Sequence, residues 1–254
     1  MPQPPDRLRA LIESYLAELV LAPELGTLDE PMRYALGGKR VRPVLLLATG
    51  DAVGAHVEGL LPAAAAVELV HSFSLVHDDL PSLDDDRERR GAPSVWAQFG
   101  ESTAILAGDA LLAEAMRLAL SYPTGAVARE LVDATLAMIG GQQLDLEGGA
   151  PLDQLHALKT GALFTAAVMC GLWAAAVPVE EHPPWRAFAQ ELGLLFQIVD
   201  DVLDGDGYVL EVGADGARRL ANEAADRART RLAQIDADTD VLAGIVGDLA
   251  VRTA

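Results

Sequence analysis

Two clusters of aspartates are the residues of this sequence best suited to chemistry. The first, from Asp78 to Asp86, places five carboxylates within nine residues, directly after an apolar run. The second contains Asp200, Asp201 and Asp204 and also follows an apolar run. Neighbouring carboxylates repel one another, so such clusters are costly unless cations hold them together. Two groups of oxygen ligands at two helix ends predict a site for a hard cation, most simply Mg²⁺, that holds an oxyanion-rich ligand.

Basic residues beside glycines form a second pattern. The segment from Gly37 to Pro43 has two glycines and then Lys39, Arg40 and Arg42 at the start of a predicted helix. A flexible backbone with cations at a helix start suits an anion, and phosphate is the usual one. A solvated basic turn has the same composition, so this segment alone leaves both interpretations open.

The remaining cations are distributed unevenly. Arg87, Arg89 and Arg90 follow the first aspartate cluster, where they either compensate its charge or bind a second anion without metal. The chain has 19 Lys and Arg residues, of which only Lys39 and Lys159 are lysines. Both stand beside glycines, and a compact ammonium suits a phosphate oxygen. Chance is the alternative explanation of their placement.

The hydrophobic pattern has the period of helices throughout, with no strand-like alternation of apolar and polar residues. We therefore predict an all-α fold, a single domain over residues 1–254 with about ten helices and both clusters at the ends of long central ones. Helices are predicted over residues 6–21, 60–79, 104–120, 126–146, 155–177, 185–203, 217–235 and 241–251.

Composition limits the location and the partners. The formal net charge of -19 argues against nucleic acid and against an anionic membrane surface. The single cysteine, Cys170, permits no internal disulfide and is expected to be a buried apolar residue, which fits a reducing cytoplasm. The N-terminal residues contain no apolar signal segment, and the apolar stretch 162–177 is shorter than a membrane span. We expect a cytoplasmic protein with no stable membrane insertion.

Taken together, these motifs resemble those of the trans (E)-polyprenyl diphosphate synthases, the enzymes that elongate isoprenoid chains. The resemblance is to the short-chain bacterial farnesyl and geranylgeranyl diphosphate synthase type and covers Gly37 to about Ala225. It implies an isoprenoid-synthase-type helical bundle with a central cavity, and a homodimer. The matching segments, in the expected order, are Gly37–Pro43, His71, Asp78–Asp84, Arg89–Gly91, Gly108–Leu112, Lys159–Gly161 and Phe196–Asp204.

The resemblance implies a role for each site residue. It implies Mg²⁺ as cofactor, with three ions and Mn²⁺ as an alternative. The metal ligands it implies are Asp78, Asp84 and Asp200, with Asp79, Asp201 and Asp204 in support. The residues it implies for isopentenyl diphosphate are Lys39, Arg42, His71 and Arg90. Those for the allylic diphosphate are Arg89 and Lys159. The group it implies for catalysis is Lys159, Thr160, Gln197 and Arg89.

The implied reaction is the condensation of isopentenyl diphosphate with dimethylallyl or geranyl diphosphate, through ionisation, condensation and elimination. By resemblance, Phe73 and Ser74 set the product length, and farnesyl diphosphate (C15) is the expected product, with geranyl or geranylgeranyl diphosphate as alternatives. Phe73 lies five residues before Asp78, about 7–8 Å deeper along a helix. On an ideal helical wheel it is rotated away from Asp78, so the geometry alone does not place it in the product cavity.

The sequence departs from the family after Asp204. A long lysine-bearing loop is usual there, but only three residues precede Tyr208, and no lysine follows Lys159. Either the loop is deleted, or a mobile segment is missing from the sequence; we favour the second explanation, which requires a Cα–Cα step well above ~3.8 Å. Two other functions remain open: a non-catalytic subunit of a heteromeric prenyltransferase, and a class I terpene cyclase. Both aspartate motifs are present, which favours the enzyme that elongates chains.

Overall fold

The computed structural model of the protein describes residues 2–252, and the all-α prediction is confirmed. Within these residues the chain forms twelve α-helices and one very short hairpin. The helices are α1 (Pro5–Glu18), α2 (Asp29–Ala35), α3 (Val41–Ala52), α4 (Leu61–Asp78), α5 (Val95–Phe99), α6 (Glu101–Ala119), α7 (Ala126–Glu147), α8 (Leu152–His156), α9 (Ala162–Ala174), α10 (His182–Asp204), α11 (Tyr208–Leu232) and α12 (Asp240–Val251). The hairpin pairs β1 (Glu88–Arg89) with β2 (Ala92–Pro93) in antiparallel fashion.

Helix α9 lies at the centre of the bundle, in contact with α3, α4, α7 and α10. Most of its side chains are buried, as its apolar sequence predicts, and Cys170 is fully buried among them. Gly171 lets α9 approach α3 closely, because a Cβ atom there would lie 2.8 Å from the carbonyl oxygen of Leu46. Each large side chain buried in this core, such as Phe164, contributes about 2–3 kcal/mol of apolar transfer free energy.

The predicted helix over residues 155–177 is interrupted. It begins as α8, passes through a π-helical segment, Ala157–Gly161, and continues as α9. A π-helical turn leaves one residue more in the turn than an α-helix does, and such turns are frequent at functional sites. The apolar period does not reveal it, because the residues on either side keep a helical pattern.

Two further differences concern segments after the aspartate clusters. The sequence predicted no strand, yet Glu88–Arg89 and Ala92–Pro93 form a two-residue ladder, with Gly91 at positive φ in its turn. Helix α11 begins at Tyr208, nine residues before the predicted start at residue 217, and contains a kink at Gly213. Both differences arise in short segments where local contacts outweigh any periodic pattern.

Two helical stretches, Val57–Asp78 and Leu152–Ala174, are long and apolar enough to cross a membrane by length and composition. In each stretch, more than half of the residues in the most apolar window are buried inside the bundle, where they pack against other helices of the chain. Packing of this kind is what core helices of globular proteins show. Their apolar surface is therefore accounted for by the fold.

Candidate active site

Asp78 is the last residue of α4, so the first aspartate cluster is held at the end of a buried helix. The following turn folds back, and the backbone N–H of Asp84 donates to the carbonyl oxygen of Asp78 at 2.9 Å. Among the described residues no hydrogen bond to the Asp78 carboxylate is found, and Asp84 accepts only a 3.3 Å contact from Gln142. Burial and the charge of Asp84 raise the pKa of Asp78 to about 6, although Lys159 acts against this.

Asp79, the neighbouring residue, has a different environment. Its side chain is buried, and Arg89 of β1 binds both of its carboxylate oxygens, with Nε at 2.7 and 2.9 Å. Nη2 of Arg89 adds a 2.5 Å bond to Oδ1 of Asp79 and a longer 3.4 Å contact to Asp86. Asp79 therefore fixes Arg89, and the Nη1 side of that guanidinium is left for an anion.

The second cluster ends α10 in the same way. Asp200 is exposed and lies at the edge of a cavity beside Arg42. Partial burial, with the charges of Asp204 and Asp201, raises its pKa. Asp204 is exposed at the last residue of the helix. Asp201 is buried, and it accepts hydrogen bonds from the side-chain amide of Gln197 at 2.7 Å and from the backbone N–H of Tyr208 at 2.9 Å.

All four residues predicted to bind isopentenyl diphosphate line one cavity of about 360 Å³, with Asp200 at its edge. Arg42 packs against two neighbouring aromatic rings: its guanidinium carbon lies 4.6 Å from the ring centre of Phe164 and 5.7 Å from that of Phe196. We call this cavity the cationic pocket; its predicted residues are Lys39, Arg42, His71 and Arg90.

The positive charges of the cationic pocket are not fully neutralised by acidic side chains of the protein. Nε of Arg42 is buried without a hydrogen-bond partner, and burial lowers the pKa of this residue to about 10, so it remains charged at neutral pH. Burial, with the positive charges of Arg42 and Arg90, holds the pKa of His71 well below its usual range. A neutral imidazole among fixed cations, with an unpaired buried donor, suits a polyanion.

The two glycines of the basic segment allow the Arg90 side chain to pack closely against the backbone. Arg90 donates to the carbonyl oxygen of Gly37, and a Cβ atom on Gly38 would lie 2.8–3.1 Å from the guanidinium of Arg90. Arg40, by contrast, is buried in ion pairs with Glu68 at 2.7 Å and Glu13 at 2.9 Å, so it supports the fold.

A second cavity, of about 270 Å³, lies beneath Asp78, and we call it the apolar cavity. Phe73 and Ser74 both line it, so the structure places Phe73 where the helical wheel did not. The Ser74 hydroxyl donates to the carbonyl oxygen of His71 at 3.0 Å. The other residues that line the apolar cavity are His77, Asp78, Leu83, Met138, Ile139, Gln142, Gln143, Leu146 and Lys159.

Lys159 and Thr160 lie on the π-helical segment. Nζ of Lys159 lies 2.5 Å from Oδ2 of Asp145, at the edge of the apolar cavity. Helix α7 packs tightly here, since a Cβ atom on Gly141 would lie 2.7 Å from the backbone nitrogen of Lys159. Lys159 is thus held near Asp78 by a partner that the sequence reasoning did not select.

Two other residues of the site were missed. Arg252, at the end of α12, lines the cationic pocket from the far end of the chain. His77 lines the apolar cavity with its ring 5.1 Å from that of Phe73, and its Nε2 lies 3.0 Å from the carbonyl oxygen of Ile105. Gly108 packs closely against the His77 ring, since a Cβ atom on Gly108 would lie 2.2–3.0 Å from it. The sequence alone does not show this contact.

The connection after Asp204 is a closed turn. The backbone N–H groups of Gly205 and Asp206 both donate to the carbonyl oxygen of Asp201, at 2.8 and 3.2 Å. The chain continues into α11 through three residues that bring no lysine to the site. The choice between a deleted loop and a missing segment stays a prediction.

The carboxylates fit a divalent cation by their chemistry, because Asp78, Asp84, Asp200 and Asp204 offer oxygen atoms that few protein cations neutralise. Burial, with the charges of neighbouring carboxylates, raises the pKa of Asp78 and of Asp200. Within residues 2–252 no three acidic, histidine or cysteine side chains converge closely enough to hold an ion alone. An ion bound here would complete its coordination with water and ligand oxygens.

Comparisons with known proteins identify the family of this chain. The sequence pattern of the polyprenyl synthetase family matches residues 26–215. The farnesyl diphosphate synthase of Escherichia coli (strain K12) is 39% identical over 249 residues, covering 81% of this chain and 82% of the relative. A geranylgeranyl diphosphate synthase of Cyanophora paradoxa is 41% identical over 194 residues, covering 69% of this chain and 64% of its own length.

A solved structure, a geranyltransferase from Legionella pneumophila, superposes with a TM-score of 0.87 at 32% identity, covering 98% of this chain and 96% of that one. The alignment with the Escherichia coli relative runs over 249 positions but uses only 81% of the 254 residues here, so that relative has segments with no counterpart in this chain. The short turn after Asp204 agrees with such a deletion. On the extent of the match and its spacing of motifs, this chain belongs to the polyprenyl synthetase family.

Proposed function

We propose that this protein condenses isopentenyl diphosphate with an allylic diphosphate in a Mg²⁺-dependent reaction, and that farnesyl diphosphate is its main product. The observation that carries the proposal is the pairing of two cavities: a cationic pocket lined by Lys39, Arg42, His71 and Arg90, and an apolar cavity beneath Asp78. One suits a diphosphate and the other an isoprenoid tail.

Isopentenyl diphosphate would bind in the cationic pocket without metal. Arg42 and Arg90 supply fixed charge, Lys39 an exposed ammonium, and neutral His71 a hydrogen-bond donor or acceptor. The π face of Phe164 holds the Arg42 guanidinium in place, which lowers the ordering cost of binding. Substrate oxygens would satisfy the buried Nε of Arg42.

The allylic diphosphate would bind between the two aspartate clusters with its tail in the apolar cavity. Mg²⁺ held by Asp78, Asp84 and Asp200 would neutralise the charge that develops on the leaving diphosphate. Arg89, fixed by Asp79, and Lys159, fixed by Asp145, would add two protein cations to the same group.

Ionisation breaks the allylic C–O bond, and the electron pair leaves with the diphosphate. The Lys159 carbonyl, the Thr160 hydroxyl and the Gln197 amide oxygen would face the carbocation with their dipoles. The double bond of isopentenyl diphosphate then attacks the allylic carbon, and the proton lost in elimination goes to the released diphosphate. No protein base is required, and the apolar cavity excludes the water that would trap the cation as an alcohol.

Product length would be set at the floor of the apolar cavity. Phe73 is buried there and its ring is braced by the edge of His77, so neither moves freely away from a growing chain. We expect Phe73→Ala to shift the main product from C15 to C20 or longer, because the removed ring opens space for a further isoprene unit. Product chain length is measured by chromatography and mass spectrometry after dephosphorylation.

The control for that variant is Phe99→Ala, which removes the same ring from a position that packs against Tyr34 outside both cavities. Its products should keep the wild-type length. An unchanged product distribution in Phe73→Ala would remove Phe73 from product control.

We also propose that the protein acts in the cytoplasm as a homodimer, through a stripe of exposed apolar residues on α6 and α7. Exposed apolar side chains in a row are typical of an interface. Sedimentation should give a dimer, and Leu136→Lys should dissociate it; a monomeric wild type contradicts the proposal. The stripe consists of Ile105, Leu106, Val132, Leu136, Ile139 and Leu146.

One assay tests the proposed reaction. The protein is incubated with Mg²⁺, isopentenyl diphosphate and dimethylallyl or geranyl diphosphate, and prenyl diphosphates are the expected products. A second candidate, a non-catalytic partner subunit, is favoured by one feature, the turn after Asp204 that lacks any lysine. No elongation by the purified chain supports that candidate, whereas a terpene formed from geranyl diphosphate alone indicates a cyclase.

A further inference from the structure

Asp201 is the member of the second aspartate cluster that the proposed metal site leaves unused. Its side chain is 3% exposed, and each of its two oxygens already accepts one hydrogen bond. Oδ1 accepts from Nε2 of Gln197 at 2.7 Å, and Oδ2 accepts from the backbone N–H of Tyr208 at 2.9 Å. Nδ1 of His156 is 3.9 Å away, too far for a hydrogen bond.

These contacts determine which way the Gln197 amide points. A carboxylate is an acceptor only, so it can bind the NH₂ group of Gln197 but not its oxygen. The amide oxygen of Gln197 must then point away from the Asp201 carboxylate. An amide that was free to rotate would present either group, and an NH₂ group facing a carbocation is repelled by it.

Helix α10, which carries Gln197, packs against the π-helical segment. One turn before Gln197, Gly193 packs closely against this segment, since a Cβ atom on Gly193 would lie 3.2 Å from the Cα atom of Gly161. One turn after it, Asp201 lies beside His156. Gln197 therefore lies level with the residues between them, Lys159 among them, where the proposed function places the ionising carbon.

The short connection holds Asp201 in this role. Tyr208 supplies its backbone N–H to the carboxylate only because three residues separate the two helices. Gly207 must lack a side chain, since a Cβ atom there would lie 2.1–2.9 Å from the Asp201 carboxylate. The turn thus clamps one oxygen of Asp201 and leaves the other for Gln197.

We propose that Asp201 is a positioning residue that fixes the amide oxygen of Gln197 toward the ionising carbon, with the three-residue turn as its anchor. This inference rests on the proposed function for its chemical consequence. It divides the second motif into Asp200 and Asp204, which remain available to cations, and Asp201, which serves Gln197.

The first test is Asp201→Asn. The backbone N–H of Tyr208 takes the new amide oxygen, so the new NH₂ group faces Gln197 and turns its amide around. We expect kcat to fall by about 10- to 100-fold, with KM for both substrates and the Mg²⁺ concentration for half-maximal activity little changed. In a Gln197→Met background the same substitution should have almost no further effect on kcat.

The matched control is Asp206→Asn, which removes an exposed carboxylate from the same turn and should leave kcat unchanged. Additive losses in the double variant, or a raised Mg²⁺ requirement in Asp201→Asn, would overturn the inference in favour of a metal ligand. A kcat equal to that of the wild type would overturn it as well.

A second measurement needs no activity. In protein labelled with ¹⁵N-glutamine and free of metal and substrate, the Gln197 side-chain amide should show slow hydrogen exchange, and Asp201→Asn should abolish it. An unprotected amide in the wild type refutes the positioning role. A protected amide in a chain that makes no prenyl diphosphate refutes the proposed function instead, so the two failures are distinguishable.

Discussion

At Asp78–Asp79, where α4 ends, and at Asp200–Asp201, one turn before α10 ends, two adjacent carboxylates differ: the first lines a cavity and the second is buried. In both pairs the buried carboxylate has two or more hydrogen bonds, and the outward one has none among the described residues. Two aspartates that look equivalent in the sequence are therefore, in the structure, one carboxylate without a hydrogen bond and one held by the protein; we propose that the first is a metal ligand and the second a support.

The supports differ in what they hold. Asp79 binds the guanidinium of Arg89, which brings a positive charge to the first cluster. Asp201 binds a neutral amide and a backbone N–H, so the second cluster gains orientation and no charge. The first cluster is thus partly neutralised by its own protein, whereas the second depends on the nearby Arg42 and on bound cations.

The largest expected effect is on catalysis and concerns Asp78 and Asp200, the carboxylates that line a cavity. Asp78→Asn and Asp200→Asn should each lower kcat/KM by at least about 100-fold, because each removes an oxygen ligand worth roughly 3 kcal/mol or more in the transition state. The Mg²⁺ concentration needed for half-maximal activity should rise in both. Steady-state assays over a Mg²⁺ titration measure the two quantities together.

Asp133→Asn is the control, since it removes an exposed carboxylate of α7 outside both proposed substrate sites. It should match the wild type. If Asp79→Asn and Asp78→Asn instead raised the Mg²⁺ requirement equally, the division into ligand and support would not hold for the first cluster.

The next effect is on stability and contrasts the two supports. Arg89→Met leaves the Asp79 carboxylate buried without its partner, and we expect a loss of about 2 kcal/mol in the free energy of unfolding at neutral pH. This loss is smaller than for a fully buried ion pair, because about a third of the Arg89 side chain is exposed. Gln197→Met should cost about 1 kcal/mol, because Asp201 keeps the N–H of Tyr208. Urea unfolding curves give both values.

The cause of the effect can be checked by a second substitution. Restoring neutrality with Asp79→Asn in the Arg89→Met background should recover part of the stability. Equal losses in Arg89→Met and Gln197→Met would contradict the contrast between the supports.

The sequence was sufficient for the positions of both clusters and for the long helices, because helical period and charge spacing are local properties. It also identified the pocket residues Lys39, Arg42, His71 and Arg90 through the resemblance, and the structure brings all four to one cavity. Their chemical roles remain predictions until the variants are assayed.

The features that the sequence did not reveal depend on contacts between distant segments. Arg252 reaches the cationic pocket only because α12 packs against α3 and α10. The burial of Asp79 and Asp201 follows from Arg89 and from the turn at Gly207, and neither aspartate differs from its neighbour in type. Spacing alone assigns all of these carboxylates to one class.

The smallest effect on stability at neutral pH concerns His71, which shares α4 with Asp78 but belongs to the cationic pocket beside Asp200. Burial, with the charges of Arg42 and Arg90, lowers its pKa in the folded protein, whereas the unfolded chain has an ordinary histidine. The unfolded state then binds the extra proton below about pH 6.5, so stability falls as the pH falls through that value, by at most about 1.4 kcal/mol per pH unit. His71→Gln should lack this loss.

Nuclear magnetic resonance of the histidine rings tests the cause directly. The pKa read from the His71 ring signals should lie well below the ordinary value of a histidine. Inorganic diphosphate without metal should then raise the pKa of His71, because a bound polyanion offsets the charges of Arg42 and Arg90 that disfavour its protonation. A titration of His71 at its ordinary pKa, unaffected by diphosphate, would mean that the arginines do not act on this pocket together.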